Sequence, residues 1–213
     1  ATSIPVTQND YIFTIGVIGV TATFDDLSSV SICDNDELAV IYVTLTGTPQ
    51  WSLEYETTGA TTSVFTETNI LTSPFYIQLR GEDMGGYSAT PYTLALTSIA
   101  DNGNVGYVSP ETIAIEVKLT HKPTIIGPTS VGINETRSFL TTNNAGSTYS
   151  WVWNGSSGGT ITGSGNEVSV GFNAGIGSYI LQVTETSATG CTAIDDHTIT
   201  VLNVPVPEII TDA

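Results

Sequence analysis

Basic residues are almost missing from this chain. Lys and Arg together number 4 against 21 Asp and Glu, a formal net charge of −17 at pH 7. Such a surface repels nucleic acid and anionic membranes, so neither is expected as a partner. Long apolar runs are missing too. None reaches the roughly 18 residues that would make a transmembrane helix. Residues 11–20 (YIFTIGVIGV) are apolar, but ten residues holding Gly16 and Gly19 read as strand. The N-terminus lacks a basic stretch followed by a compact apolar core, so no signal peptide is expected there. The sequence opens at Ala1 rather than Met, which fits a processed or excised piece. Cysteine occurs only twice, too little for a disulfide framework. Histidine also occurs only twice, and no two Cys or His residues stand closer than six apart, so the sequence offers no zinc site. Helical periodicity is not sustained anywhere.

What is present is β-structure. Hydrophobic residues make up 40% of the chain, too many for disorder, while only 12% of residues are charged. Solubility therefore rests on Thr, Ser, Asn and Gly, a composition that suits extracellular β-domains. In Tyr179-Ile180-Leu181-Gln182-Val183-Thr184, alternate residues fall on opposite faces of an extended chain. The pattern occurs twice. Gly103 lies eleven positions after Tyr92, as Gly190 does after Tyr179, and each stretch reads as a late core strand with its turn.

Taken in order, strands are expected in residues 11–24, at Val30–Cys33, Leu38–Leu45 and Trp51–Glu56, around residues 63–68 and 74–79, from Tyr92, and at Thr112–Val117. Trp51, Leu53 and Tyr55 should point inward. Thr120-His121-Lys122-Pro123 breaks the pattern and marks a boundary. The second half repeats the first: Thr129–Glu135 echoes Ser29–Asp36, followed by strands at Tyr149–Trp153, Gly158–Thr162, Glu167–Phe172, Tyr179 onward and His197–Val201. Pro207-Glu208-Ile209-Ile210-Thr211 resembles Pro123–Pro128, as though a third module were starting. The reading is all-β, two small β-sandwiches in tandem. Residues 1–120 form the first, with 1–28 a leader and edge strand; 121–204 form the second; 205–213 are a linker or the start of another module. Exposed edge strands such as residues 11–18 are the place for pairing with another chain.

Catalytic chemistry finds little support. His121 sits at the linker and His197 beside Asp195 and Asp196, with no nucleophile singled out by spacing. Glu54 and Glu56 share a face, but an outward one. Calcium is the one candidate cofactor, because it takes oxygen ligands from acidic turns. The candidate ligands are Asp34, Asn35 and Asp36, then Asp101, then Asp195 and Asp196; the competing reading is acidic turns facing water. Trp51, Trp151 and Trp153 match core positions, which leaves Phe65, Tyr76 and Tyr87 as other aromatic platforms for a sugar. Asn134-Glu135-Thr136 and Asn154-Gly155-Ser156 match a glycosylation pattern that is common by chance.

The order C-x-x-x-E, x-Y-x-W, G-G-T-I, G-x-Y-x-L-x-V-T-x-T, G-C resembles the PKD-like and Ig-like repeat modules of large Bacteroidota surface proteins. The second half carries it through Tyr149, Trp151, Gly158, Gly159, Thr160, Ile161, Gly177, Tyr179, Leu181, Val183, Thr184, Gly190 and Cys191. The first half fits a W-x-x-x-Y variant through Trp51, Tyr55, Tyr92, Leu94 and Gly103. The resemblance implies tandem Ig/PKD-like sandwiches in a non-enzymatic, cell-surface segment of a gliding-motility adhesin exported by type IX secretion. Its partners would be neighbouring modules of the same chain, and a surface polysaccharide or another protein. The competing function is a carbohydrate- or calcium-binding accessory module of a secreted multidomain enzyme. Modules of this kind often pair an early cysteine with a late one. Here Asn104 stands where Cys33 would find its partner, and Gly132 where Cys191 would. The expectation is two unpaired thiols; a bridge between modules would need the Cα atoms within about 7 Å, and intermolecular pairing is the third alternative.

Overall fold

A computed structural model of the chain describes residues 19–35, 37–154, 159–173 and 175–203. The expected strand at residues 11–18, the glycosylation motif beyond Asn154 and the expected module start at 205–213 lie outside the described residues. All the longer elements are strands, and they sort into two sandwiches.

The first sandwich packs two sheets face to face. One is ordered β6 (Phe75–Arg80), β3 (Leu38–Thr46), β1 (Thr21–Phe24), β9 (Tyr107–Val108). The other is ordered β2 (Val30–Cys33), β10 (Thr112–Lys118), β7 (Tyr92–Asp101), β4 (Trp51–Thr58), β5 (Thr62–Ile70), with β8 (Asn104–Val105) hung on β7. Strict alternation drives this arrangement. Ala39, Ile41, Val43 and Leu45 of β3 are buried while their neighbours are exposed, and Ile113, Ile115 and Val117 of β10 do the same from the opposite sheet. Fully burying each of these Ile, Val and Leu side chains stabilises the fold by roughly 1.5–3 kcal/mol. Trp51, Leu53 and Tyr55 point inward as their spacing predicts.

One irregularity matters for the site. The pairing of β4 with β7 shifts register between Glu54 and Tyr55: Tyr55 faces Leu96, but Glu54 faces Ser98. The extra residue, Thr97, reverses the inside-outside parity of the rest of β7. Ile99 and Asp101 are therefore turned into the protein.

The second sandwich has one sheet ordered β11 (Ser130–Gly132), β17 (Thr192–Leu202), β16 (Gly177–Thr186), β13 (Thr148–Asn154), and another ordered β12 (Thr136–Leu140), β15 (Glu167–Phe172), β14 (Gly159–Thr162). Its core gathers Phe139, Phe172, Leu181, Val183, Ile199 and Val201, a set separate from the first core. β12 is not legible in the sequence as a strand, because only Phe139 among its residues is buried. β17 starts five residues earlier than His197, pairing with β16 along the whole run from Thr192. Ile126 and Leu140 bridge antiparallel through two backbone hydrogen bonds of 2.8 and 3.0 Å, which draws the segment after the linker onto the second core. Gly127 is required beside that bridge: a Cβ there would run into the Phe139 ring.

Candidate functional site

The residues with chemical character gather mainly where the two sandwiches meet. β2 runs parallel to β10 and ends with Cys33 level with Lys118, the last residue of β10. The turn from β16 to β17 comes up against this end. Ser187 anchors that turn: its backbone N–H donates to the Cys191 carbonyl at 2.8 Å, and its hydroxyl accepts from the Cys191 N–H at 3.1 Å.

Here the structure corrects the expectation of two unpaired thiols. Cys33 and Cys191 form a disulfide, with Cα atoms 5.7 Å apart across 158 residues of sequence. The reason is placement. The short linker leaves the end of β10 and the turn at 187–191 in contact, so each sandwich supplies one cysteine to a shared seam. Polar contacts line the same seam. Asn35 Nδ2 donates to the Thr192 carbonyl and Thr189 Oγ1 to the Leu119 carbonyl, both at 3.3 Å.

Near the C-terminal end of β16, just before the turn to β17, lies Glu185, which is fully buried. Its Oε1 accepts from Asn144 Nδ2 at 2.9 Å and lies 3.3 Å from His121 Nδ1 and 3.4 Å from the Tyr149 hydroxyl. Its Oε2 has no partner among the described residues. Ser147 Oγ is 3.3 Å from the same His121 nitrogen. A Ser, a His and a carboxylate thus come together, but not as a catalytic triad. Triad chemistry places the nucleophile on one ring nitrogen and the orienting acid on the other. Here both approach Nδ1, so the arrangement reads as a peg that fixes the linker to the second sandwich. His197 is used structurally as well: its Nε2 is 3.3 Å from the Pro128 carbonyl, and its ring meets Phe139 edge-on at 5.8 Å.

The acidic candidates are dispersed. Asp34 Oδ1 accepts from the Thr120 N–H at 2.7 Å, tying β2's end to the linker. Asp101, inverted by the bulge, accepts from the Thr48 N–H at 2.7 Å and from Asn104 Nδ2 at 3.1 Å. Asp195 Oδ2 accepts from the Ile125 N–H at 2.8 Å, and Asp196 Oδ1 from Gln182 Nε2 at 2.8 Å. Asp36 lies outside the described residues. Among the described residues no three His, Cys, Asp or Glu side chains come together as a group able to hold a metal ion.

The tryptophans are packed. Trp51 is buried and donates to the Thr46 carbonyl at 2.9 Å; Trp151 and Trp153 are half-buried against the second core. The exposed aromatics lie elsewhere. Tyr42 of β3 and Tyr76 of β6 stand opposite each other on the outer face of the first sandwich, both about half exposed, with ring centroids 6.5 Å apart. A groove beside Tyr42 is lined by Val40, Asp25, Asp26, Ser28 and Ser29. Asp26 Oδ1 accepts from the Ser28 hydroxyl and N–H at 2.7 and 2.8 Å, which holds its carboxyl below the usual range and therefore ionised at neutral pH. Sequence reading singled out Tyr76 but missed Tyr42, which only the β3–β6 register reveals as its neighbour.

No family model and no curated protein matches the sequence. Solved structures do, at low identity. The chain is similar to CBD12 from CALX1.2, 11% identical over 79% of this chain and 82% of that one, with a TM-score of 0.35. It is similar to the fibronectin(III)-like modules of Clostridium thermocellum CbhA, 17% identical over 90% and 100%, TM-score 0.32. It is also similar to the FN1–FN3 domains of chicken CNTN1, 10% identical over 86% and 66%, TM-score 0.37.

Proposed function

We propose that this chain is a non-enzymatic repeat segment of a large bacterial cell-surface adhesin of the gliding-motility and attachment type, serving as an extended spacer and adhesion surface. The observation that supports it most is the disulfide between sandwiches, because disulfides persist in oxidising, extracytoplasmic settings and this one welds two modules into a unit suited to bearing load. The module motifs of the sequence supply the gliding and type IX secretion part of the reading. The test is topological and functional together. Intact cells that make the protein are labelled with an antibody to residues 19–203, then treated with protease; attachment to glass is scored with the same residues deleted in frame. Labelling before lysis and reduced attachment are expected. Labelling only after lysis would sink the reading.

A second reading has its own observation, the Tyr42–Tyr76 pair beside the Asp25–Ser29 groove. Exposed rings offer stacking faces for the C–H side of a pyranose, and ionised carboxylates accept from its hydroxyls. With 4 basic residues against 21 acidic ones, the ligand on this reading is a neutral polysaccharide. Affinity electrophoresis through gels of neutral polysaccharide tests it. Retardation that Tyr42→Ala and Tyr76→Ala both abolish supports this accessory-module function; migration equal to that in plain gel for every polysaccharide overturns it.

A further inference from the structure

The disulfide joins an early residue of the first sandwich to a late residue of the second, and the covalent consequence is mechanical. We propose that the Cys33–Cys191 bond is a force bypass: tension entering at one end of the chain and leaving at the other crosses from residue 33 to residue 191 through sulfur, and residues 34–190 carry none of it. The proposal rests on the load-bearing reading above for its biological setting, but its physics needs only the topology.

The path can be followed residue by residue. From the N-terminal side, load runs through β1 and β2 to Cys33. It then jumps 158 positions to Cys191 and leaves along β17. β3 to β10 and β11 to β16, which hold nearly all of both cores, lie inside the closed loop. Pulling can strip β1 and β2 from the first sandwich and β17 from the second. It cannot draw out the enclosed strands while the bond is intact, because no tension is transmitted along them. The strands left on the load path are unequal. β2 is held to β10 over four residue pairs, whereas β17 is held to β16 over ten. The N-terminal side therefore yields first and the β17 side holds longest.

The arrangement differs from a disulfide inside one module, which shortens the extension of that module alone. Here the bond also spans the linker, so the boundary at Thr120–Pro123 is relieved of load. The polar seam explains how the bond stays registered: Asn35 to Thr192 and Thr189 to Leu119 hold the two edges together independently of the sulfurs, while the His121–Glu185 peg fixes the linker to the second sandwich.

The experiment is single-molecule stretching of the 213-residue chain held by handles at its two ends, first oxidised and then in tris(2-carboxyethyl)phosphine. The phosphine attacks one sulfur and breaks the S–S bond, and water then supplies the protons of the two thiols and the oxygen of the phosphine oxide. Residues outside the loop number 54 (213 − 159). At about 3.5 Å per residue the oxidised chain then extends to roughly 190 Å and no further. Reduction should release about 550 Å more, from the 158 residue steps the bond had shielded. Because the two states are compared in one chain, no cysteine variant has to fold. Oxidised molecules that extend well past about 190 Å without reductant would overturn the bypass. So would reduced molecules that gain no length at forces that unfold β-sandwiches. Neither result depends on whether antibody finds the segment on cells, so failure here and failure of the surface reading are told apart.

Discussion

Opening the Cys33–Cys191 bond should weaken both sandwiches, and by similar amounts. Cys33 lies level with Lys118 in the parallel β2–β10 pair, so Lys118, just before the second module, and Cys191, just before that module's last strand, are both pinned to neighbouring points of the first. When the second module unfolds alone with the bond intact, its part up to Cys191 is confined to a closed loop of 73 residues (191 − 118), with β17 a free tail. Opening the bond frees one end. The chain-entropy relation gives about 4 kcal/mol for a loop of that size at 25 °C. The first module is bounded in the same way by Cys33 and by Leu119, which the Thr189 hydroxyl holds, a loop of 86 residues (119 − 33) and again about 4 kcal/mol. For units of this size each kcal/mol shifts Tm by roughly 4–8 °C, so losses of about 15–30 °C are expected. Differential scanning calorimetry of the native chain, of the reduced chain and of Cys33→Ala/Cys191→Ala measures this. A loss below about 1 kcal/mol in both transitions would refute the loop argument. So would a large loss in one transition and none in the other, because that would make the bond a local brace of a single module.

Other outcomes follow from single positions. Tyr55, buried and donating to Glu67 at 3.3 Å, has its phenol pKa raised, first by burial and then by the Glu67 charge. Its folded state holds the proton more tightly than the unfolded one, so its contribution is full below pH 10 and is lost as pH rises beyond it. In urea titrations Tyr55→Phe should cost about 1 kcal/mol at pH 8, and the gap should shrink above pH 10; a gap that widens contradicts the assignment. Glu135 is held below the usual carboxylate range by the Gly132 N–H and by Arg137, so its contribution is present above about pH 4.5 and lost as pH falls through its folded pKa. Glu135→Gln should therefore lower Tm at pH 7 and leave it unchanged at pH 2; equal losses at both would remove the charge from the explanation. Phe139→Ala, at a fully buried position, should cost about 3–5 kcal/mol in the second sandwich's calorimetric transition and spare the first. Calcium at millimolar concentration against EDTA should move Tm by less than about 2 °C, since Asp34, Asp101 and Asp195 each already hold a backbone N–H; a rise of several degrees would assign an ion to one of those turns.

Much of the architecture is legible in the sequence because burial and alternation agree. β3, β10 and β15 alternate cleanly, and Trp51, Leu53 and Tyr55 occupy the inward positions that their spacing predicts. Legibility fails where one residue breaks the period. Thr97 inverts the end of β7, so Asp101 reads outward by parity yet is buried. β12 shows a lone inward Phe139 between Arg137, Ser138 and Leu140, too thin a signal for a strand. Glu185 has the right parity for burial but the wrong chemistry, and its partners Asn144, Tyr149 and His121 come from three other segments. The disulfide is least legible of all. Pairing across 158 residues depends on how two domains lean together, which no local pattern encodes. The Tyr42–Tyr76 pair needs the β3–β6 register before it can be seen.

In each sandwich an early strand lies parallel to the last one: β2 beside β10, and β11 beside β17. Parallel partners begin at the same pole and finish at the same pole, so the chain comes in at one tip of a module and goes out at the other. Modules strung this way never double back. Duplicating one adds a fixed increment of length and preserves a head and a tail without redesigning any fold.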